Sequence, residues 1–124
     1  MVFLNKSEII AIQERAIDEF GGLHGIRDEC ALESAIIAVE NRHHYEEADL
    51  IACAATYGYH IAKAHAFIDG NKRAAAASTE TFLIVNDARL DVTDSRFADL
   101  FIGLASGEIS REGAEVLLRS WVIL

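Results

Sequence analysis

The chain has 124 residues, and its 20 Asp and Glu residues outnumber its 11 Lys and Arg residues, which gives a net charge of −9. Hydrophobic residues make up 52% of the chain, which excludes intrinsic disorder, and no apolar run reaches the length of a membrane-spanning helix. The acidic balance also argues against a nucleic-acid-binding module and against docking on an anionic membrane. We therefore expect one folded domain over residues 1–124, located in the cytoplasm because the first residues lack the pattern of a signal peptide.

Apolar residues recur at three- and four-residue spacing in six segments, and this period predicts six helices. The helices are expected over residues 7–20, 28–41, 49–64, 71–86, 95–106 and 110–122. Ser7, Asp28 and Ser110 are the expected N-caps of the first, second and sixth helices, because their side chains can accept hydrogen bonds from free backbone N–H groups. Residues 88–92 alternate briefly, which is compatible with a short extended segment. The predicted fold class is all-α, a helical bundle with short connections.

Small side chains and cysteines add two expectations about packing. Residues 74–77, at the start of the fourth helix, are alanines that permit close packing at the centre of the bundle. Cys30 and Cys53 are interpreted as buried thiols rather than as a disulfide, as is usual in a cytosolic chain. Trp121 is expected in the core, and His60 is interpreted as a structural residue.

Residues 65–73, HAFIDGNKR, join the third and fourth helices and bring several chemical groups together in the sequence. Asp69 and Gly70 form a turn signal, and the helix that follows starts with free N–H groups that attract an anion. Lys72 and Arg73 add two positive charges at the same place, which suits a polyphosphate. The segment is thus a positive region in an acidic chain, which indicates an anionic small molecule as ligand.

His65 and Asp69 add the groups that phosphoryl or nucleotidyl transfer requires besides a phosphate site. A histidine can accept a proton near neutral pH, and a carboxylate suits a Mg²⁺ ion that is shared with phosphates. Phe67, between them, is expected to turn into the core and anchor the loop. Taken singly, a histidine at a helix end is usually a surface residue and an Asp-Gly pair is usually a turn. The residues alone therefore leave a catalytic site and a solvated helix end as open alternatives.

The same nine residues resemble the signature of the Fic/Doc superfamily, written HxFx(D/E)GNxR. The lysine before the arginine is similar to the death-on-curing (Doc) branch, the toxins of toxin–antitoxin pairs. The matching positions are His65, Phe67, Asp69, Gly70, Asn71, Lys72 and Arg73. Residues 21–36 also resemble the N-terminal stretch of the family. The resemblance implies a bundle of about six helices, with the active-site loop between two central helices.

The resemblance also implies a role for each matching residue. His65 would be the general base that takes the proton from a target hydroxyl, and Asp69 would hold Mg²⁺. The phosphates of the nucleotide would be bound by Gly70, Asn71, Lys72 and Arg73. For Asn71, the contact would be made by its side chain.

The implied substrates are a nucleotide, usually ATP, and a hydroxyl group on a protein. Most Fic proteins transfer AMP, whereas the Doc branch moves a phosphate to a threonine of elongation factor Tu and arrests translation. AMP-transferring members have glycine where this chain has Lys72, and a second arginine where it has Ala76. Phosphate transfer is therefore expected. The alternatives are an AMP-transferring enzyme and a non-catalytic nucleotide-binding interaction protein.

Control of the protein and docking of its target give two further expectations. The chain lacks the (S/T)xxxE(G/N) motif of self-inhibited relatives, so we expect a separate antitoxin whose disordered tail caps the cleft. In Fic-type folds a flap near the active site aligns the target, and residues 41–48 are the candidate. His43 and His44, with Glu46 and Glu47, match no metal-ligand spacing and are interpreted as part of a solvated loop.

Overall fold

Six helices and a two-stranded sheet account for most of the chain, in agreement with the predicted all-α fold class. The structure is a computed structural model that describes all 124 residues. Its elements are α1 (Lys6–Phe20), α2 (Glu29–Glu46), α3 (Leu50–Ala64), α4 (Asn71–Val85), β1 (Arg89–Leu90), α5 (Asp94–Ser106), α6 (Arg111–Trp121) and β2 (Val122–Ile123). None of the helices is both long and apolar enough to cross a bilayer.

Helix α3 is the centre of the bundle, and α2, α4, α5 and α6 all pack against it. Every residue from Ile51 to Gly58 is buried, as expected for a helix that is apolar on all sides. Gly58 permits a particularly close approach, because a Cβ atom there would lie 2.8 Å from the ring of Phe101 and 3.1 Å from Thr79 Oγ1. The alanines at the start of α4 face α3 in part, since Ala74 and Ala75 are fully buried. The two helices that flank the predicted active-site loop are therefore closely packed together.

Helix α1 begins at Lys6, and its N-cap is Asn5 rather than the predicted Ser7. Asn5 Oδ1 accepts a hydrogen bond from the Glu8 backbone N–H at 2.9 Å, and Glu8 Oε1 accepts one from the Asn5 N–H at 3.0 Å. This reciprocal pair is a capping box, which satisfies two backbone donors at once. The prediction of Ser7 was wrong because Ser7 has no acidic residue at the matching position three residues later.

Helix α2 continues to Glu46, beyond the predicted end near Asn41. Its last turns are fixed by contacts with the rest of the protein. His43 Nδ1 lies 2.9 Å from the Ala48 carbonyl oxygen, and Arg42 reaches α3 and α6. The predicted loop is therefore helical up to Glu46, whereas the predicted exposure holds for His44, Glu46 and Glu47. Cys30, in the first turn of the same helix, is exposed, so only Cys53 is a buried thiol; neither cysteine forms a disulfide.

The short extended segment expected over residues 88–92 is present as β1, which pairs with β2 in antiparallel orientation. Arg89 faces Ile123 and Leu90 faces Val122 in this pairing. Helix α6 consequently ends at Trp121, one residue before the predicted end, because the chain becomes extended there. Trp121 is buried, as expected.

A network of two arginines and two carboxylates joins α2, α6 and the start of α3. Arg119 donates from Nη1 to Asp49 Oδ2 at 2.8 Å and from Nη2 to Asp49 Oδ1 at 2.9 Å, and Asp49 is also the N-cap of α3. Glu115 accepts from Arg119 at 2.9 Å and from Arg42 at 3.0 Å. The hydrogen bond from Arg119 holds the pKa of Asp49 below its usual value. Burial raises the pKa of Glu115, but the hydrogen bonds from the two arginines outweigh it and the pKa is lowered.

Replacing the shared carboxylate should destabilise the fold. We expect Glu115→Gln to lower the free energy of unfolding by about 2 kcal/mol at neutral pH, because it leaves the largely buried Arg42 with only a 4.0 Å contact to the exposed carboxylate of Glu46. Urea denaturation measures this loss. The folded pKa of Glu115 is lowered, so its contribution is present above its ordinary pKa of 4.5 and disappears as the pH falls below that value. The difference between the two proteins should shrink over the same pH range.

The matched control is Glu112→Gln on the same helix, whose carboxylate pairs with Arg111 at the surface. An exposed pair of this kind contributes little, so the control should unfold close to the unmodified protein. Equal losses in the two variants would show that the network adds nothing specific.

Candidate active site

Residues 65–70 connect α3 to α4, and two buried residues lie between exposed ones in this loop. His65 ends α3 with a left-handed backbone, φ 49° and ψ 39°, and its side chain is exposed. This conformation is uncommon for a residue other than glycine and costs on the order of 1 kcal/mol. Ala66 and Phe67 are buried, and Ile68 and Asp69 are exposed again. The chain therefore passes through the core between the two chemically reactive side chains.

The side chain of Asn71 fixes this path. Its Oδ1 accepts a hydrogen bond from the Phe67 N–H at 3.0 Å, and its Nδ2 donates to the Phe67 carbonyl oxygen at 3.0 Å. Asn71 was expected to place its side chain on a phosphate. In the structure its amide oxygen and one amide hydrogen instead hold the loop, which leaves one amide hydrogen for any ligand.

Helix α4 is the only one of the six helices without a side-chain N-cap. Gly70 occupies the N-cap position with φ 70°, a left-handed conformation that suits glycine, and it has no side chain to accept from the first N–H groups. The other helices are capped by Asn5, Asp28, Asp49, Thr93 and Ser110. The N–H groups at the start of α4 are thus available to an external acceptor, and the helix dipole favours an anion there.

Asp69 lies at the edge of this helix start, and two backbone donors orient its carboxylate. Oδ1 accepts from the Gly70 N–H at 3.0 Å, and Oδ2 accepts from the Leu23 N–H at 3.2 Å. No group of three or more His, Cys, Asp or Glu side chains is arranged to hold a metal ion. A single carboxylate still fits Mg²⁺ if the nucleotide supplies further ligands, since this ion is commonly bound by one or two carboxylates together with phosphate oxygens.

A cavity of about 280 Å³ brings the candidate residues together. It is lined by Ala62, His65, Ile68, Asp69, Gly70, Asn71, Lys72, Arg73 and Ala105. Six of the seven residues of the sequence signature therefore share one cavity, and the seventh, Phe67, lies in the core behind it. Within this lining, Lys72 and Arg73 outnumber the one carboxylate, so the cavity favours an anion.

Arg73 also borders a second and larger depression. Its guanidinium carbon lies 4.0 Å from the centroid of the Phe20 ring, a distance typical of cation–π stacking. We call this depression the α1–α4 groove. It has a volume of about 470 Å³ and is lined by Ile12, Arg15, Ala16, Glu19, Phe20, Arg73, Ala76, Ala77, Glu80, Thr81 and Phe97. Phe20 was not singled out in the sequence, where it marks only the last turn of the first helix.

The N-terminal part of the chain supports the loop from behind. Gln13 is almost fully buried, with 1% of its surface exposed, and its Nε2 donates to the Asp69 carbonyl oxygen at 3.0 Å. Gly22 lies against the Asp69 carboxylate, because a Cβ atom there would lie 2.7 Å from Oδ2. Sequence analysis missed both residues. A polar residue on the apolar face of α1 was the available signal for Gln13, and the paired glycines were the signal for Gly22.

Residues 21–28 pair with the active-site loop along its edge. Ile26 and Phe67 form an antiparallel bridge, and the Ile68 N–H donates to the Gly25 carbonyl oxygen at 3.0 Å. The Ala66 carbonyl oxygen accepts from the N–H groups of residues 27 and 28 at 2.7 and 3.0 Å. Residues 21–28 are therefore the segment that runs along the edge of the loop. The candidate segment 41–48 is instead the end of α2 and its turn into α3.

Comparison with known proteins agrees with this geometry. The model of the Fic/DOC family matches residues 3–83, a span that contains the loop, α3, all but the last two residues of α4, and the segment that supports the loop. The chain belongs to the Fic/Doc family. A curated relative, the "Protein kinase doc" of Escherichia phage P1, is 40% identical over 121 residues, which cover 96% of this chain and 94% of the relative. The similarity to the Doc protein thus extends through α5 and α6 as well.

Removing the buried amide behind the loop should loosen it. We expect Gln13→Leu, which is similar in volume, to lower the free energy of unfolding by about 1 kcal/mol, because the Asp69 carbonyl loses its donor. Hydrogen exchange followed by NMR should show faster exchange of the Phe67 and Ile68 amides. Glu14→Gln, at the exposed neighbouring position, is the control and should leave both amides unchanged. Unchanged exchange in Gln13→Leu would show that the loop does not depend on this bond.

Proposed function

We propose that this Fic/Doc protein transfers the terminal phosphate of ATP to a Ser or Thr hydroxyl of a target protein, and that it is the toxin of a toxin–antitoxin pair. The single observation that carries the proposal is the cavity in which His65, Asp69, Lys72 and Arg73 meet at an uncapped helix start. The 40% identity to a phage protein named as a kinase, over nearly the whole of both chains, supports it.

Each group in the cavity has a part in the proposed reaction. His65 is exposed at the end of α3 and would take the proton of the acceptor hydroxyl as that oxygen attacks phosphorus. The N–H groups at the start of α4, with Lys72 and Arg73, would stabilise the negative charge on the transferred phosphoryl oxygens. Asp69 would hold a Mg²⁺ ion, which neutralises phosphate charge when it is bound. Asn71 and Phe67 would hold the loop backbone so that these groups keep their positions relative to one another.

The transferred group is proposed from the charges at two positions. AMP transfer requires the β- and γ-phosphates to be held as the leaving group, and AMP-transferring relatives use a second arginine for this. Here that position is Ala76, which has no donor and lines the α1–α4 groove rather than the loop cavity. Lys72, in place of glycine, puts bulk and charge into the cavity itself. ATP bound in the reverse direction would present its γ-phosphorus to His65. AMP transfer remains the alternative.

Labelled ATP distinguishes the two reactions. The purified protein is incubated with a cell extract and with ATP that carries label at either the α or the γ position. We expect a protein band labelled from γ and not from α. His65→Ala should slow the labelling by about 10²–10⁴-fold while the protein stays folded, because the loss removes a general base from an exposed position. Label from α alone would indicate AMP transfer, and label from neither would favour a non-catalytic nucleotide-binding protein.

Nucleotide binding should separate the phosphate contacts from the metal contact. We expect Lys72→Ala and Arg73→Ala each to weaken ATP binding by roughly 1.5–3 kcal/mol, the value of a charge-assisted hydrogen bond. Asp69→Ala should mainly abolish the dependence of binding on Mg²⁺. Isothermal calorimetry with and without Mg²⁺ measures both effects. Arg89→Ala, on β1, is the matched control for loss of a cation. If Lys72→Ala, Arg73→Ala and Asp69→Ala all bind ATP as tightly as the control Arg89→Ala, the phosphates bind elsewhere.

The proposed target is elongation factor Tu, whose phosphorylation would arrest translation in the cytoplasm. The segment 21–28 is suited to contact the target because it runs beside the cavity. Leu23, within this segment, and Ile68, in the lining of the cavity, expose 65% and 50% of their surfaces and so offer apolar contacts there. Expression of the protein should stop growth, and His65→Ala should relieve the arrest. Relief of this kind would also argue against a non-catalytic interaction protein.

The proposed antitoxin tail has a suitable site in the α1–α4 groove. The groove has an apolar floor, and Phe20 at its edge exposes 60% of its surface. Arg73 lines both this groove and the loop cavity. A disordered tail that folded into the groove would therefore contact the arginine that is proposed to bind phosphate, and it would cap the cleft from one side.

A further inference from the structure

A second polar cavity lies beside the candidate active site, between the last turns of α3 and the start of α6. Its volume is about 370 Å³. It is lined by Tyr59, His60, Lys63, Gly107, Ile109, Ser110, Arg111 and Glu112. None of these residues belongs to the sequence signature, and the proposed phosphate transfer does not use them. We call it the α3–α6 cavity.

The two cations of this cavity are only weakly neutralised. Lys63 forms no ion pair, and a Cβ atom at Gly107 would lie 3.9 Å from its Nζ, so the ammonium group lies at the wall of the cavity. Its other close neighbour is the ring of Tyr59, whose centroid lies 5.8 Å away. Arg111 is paired only with Glu112, the adjacent residue, at 2.9 Å. Pairs of this kind at the surface exchange readily with other partners.

His60 adds a neutral donor or acceptor between these charges. Its ring packs edge-on against Tyr59, with 5.0 Å between the centroids. Burial, followed by the charge of Arg111, lowers the pKa of His60 below its ordinary value of 6.5, so the ring is uncharged at neutral pH. The ring makes no hydrogen bond within the protein. The cavity therefore offers an anion two cations and an unused imidazole, against one carboxylate, that of Glu112.

The α3–α6 cavity and the loop cavity border the same two segments of chain. At the end of α3, Ala62 and His65 line the loop cavity and Lys63 lines the α3–α6 cavity. At the end of α5, Ala105 lines the loop cavity and Gly107 lines the α3–α6 cavity. Together the two linings contain four cations and two carboxylates, a surplus of two positive charges. The whole chain has a net charge of −9, so this is a positive region on a protein that otherwise repels anions.

We propose that the α3–α6 cavity binds an acidic side chain of the target protein and so helps to bring the acceptor hydroxyl to His65. This inference rests on the proposed phosphate transfer and specifies its protein substrate as one with an Asp or Glu near the acceptor residue. Lys63 and Arg111 are the residues that attract the carboxylate. Charge complementarity of this kind acts mainly on encounter and orientation, and it therefore affects the concentration of target that is required.

The test measures transfer of label from γ-labelled ATP onto the protein band of the labelling experiment, over serial dilutions of the extract. We expect Lys63→Glu, and Lys63→Glu combined with Arg111→Glu, to slow transfer about tenfold or more at low extract concentration, with recovery at high concentration. ATP affinity measured by calorimetry should stay unchanged. Lys63→Arg should keep the rate of the unmodified protein. Because Lys63 is exposed, the single variant remains informative if the double variant does not fold.

Arg89→Glu makes the same change of charge on β1 and should have no comparable effect. Hexaglutamate peptide should inhibit transfer by the unmodified protein but not by Lys63→Glu, whereas inorganic phosphate should inhibit both alike. If Lys63→Glu instead relieves inhibition by inorganic phosphate and not inhibition by hexaglutamate, the cavity is a site for a free anion and the proposal is overturned. Equal rates in Lys63→Glu and the unmodified protein, or an equal loss in Arg89→Glu, would overturn it while leaving phosphate transfer intact. Absence of any transfer by the unmodified protein would overturn both.

Discussion

The bond pair between the Asn71 side chain and the Phe67 backbone is the constraint on which the candidate site depends. Two hydrogen bonds, each 3.0 Å long, join the first turn of α4 to the middle of the loop. Phe67 is fixed in the core, whereas His65 and Asp69, two positions before and after it, are exposed. Both line the loop cavity, and the contacts of Asn71 and Phe67 hold the backbone between them.

Residues distant in sequence complete this arrangement from the other side. Gln13 lies 56 positions before Asp69 and bonds to its carbonyl oxygen, while the backbone of residues 21–28 pairs with residues 66–68. The loop thus has hydrogen-bonding partners on three sides and presents only its reactive edge to solvent. Such support explains how His65 can keep a left-handed backbone, a conformation that a free loop would relax.

The helices were predictable because their signals are local. Asp28, Asp49 and Ser110 cap the helices that they were expected to begin, and the apolar period of α3 predicted it as a helix. The nine residues of the loop were likewise recognisable as a chemical unit. Ser7 was predicted as the first cap because serine is a good cap by itself, whereas the reciprocal bond with Glu8 makes Asn5 the cap.

The parts that sequence analysis missed depend on contacts between distant residues. The extra turn of α2 is fixed by Arg42, whose partners Thr56 and Glu115 lie on other helices. The segment beside the loop could not be found, since no local pattern shows which residues pair with it. The two hydrogen bonds from Asn71 to Phe67 were missed because a polar side chain at a helix start can serve a ligand, the loop or both.

The absence of a cap on α4 also affects how the protein can be altered. A Ser or Asp at an N-cap typically stabilises a helix by about 1 kcal/mol, and Gly70 forgoes that stabilisation in the helix that packs most closely on the centre of the bundle. A capping side chain cannot simply be added at this position, because the left-handed backbone disfavours any residue with a Cβ atom, and that atom would lie 3.0 Å from Ile17 Cδ1. A bound anion would serve as the missing cap for as long as it stayed, so ligand binding should also stabilise the start of α4.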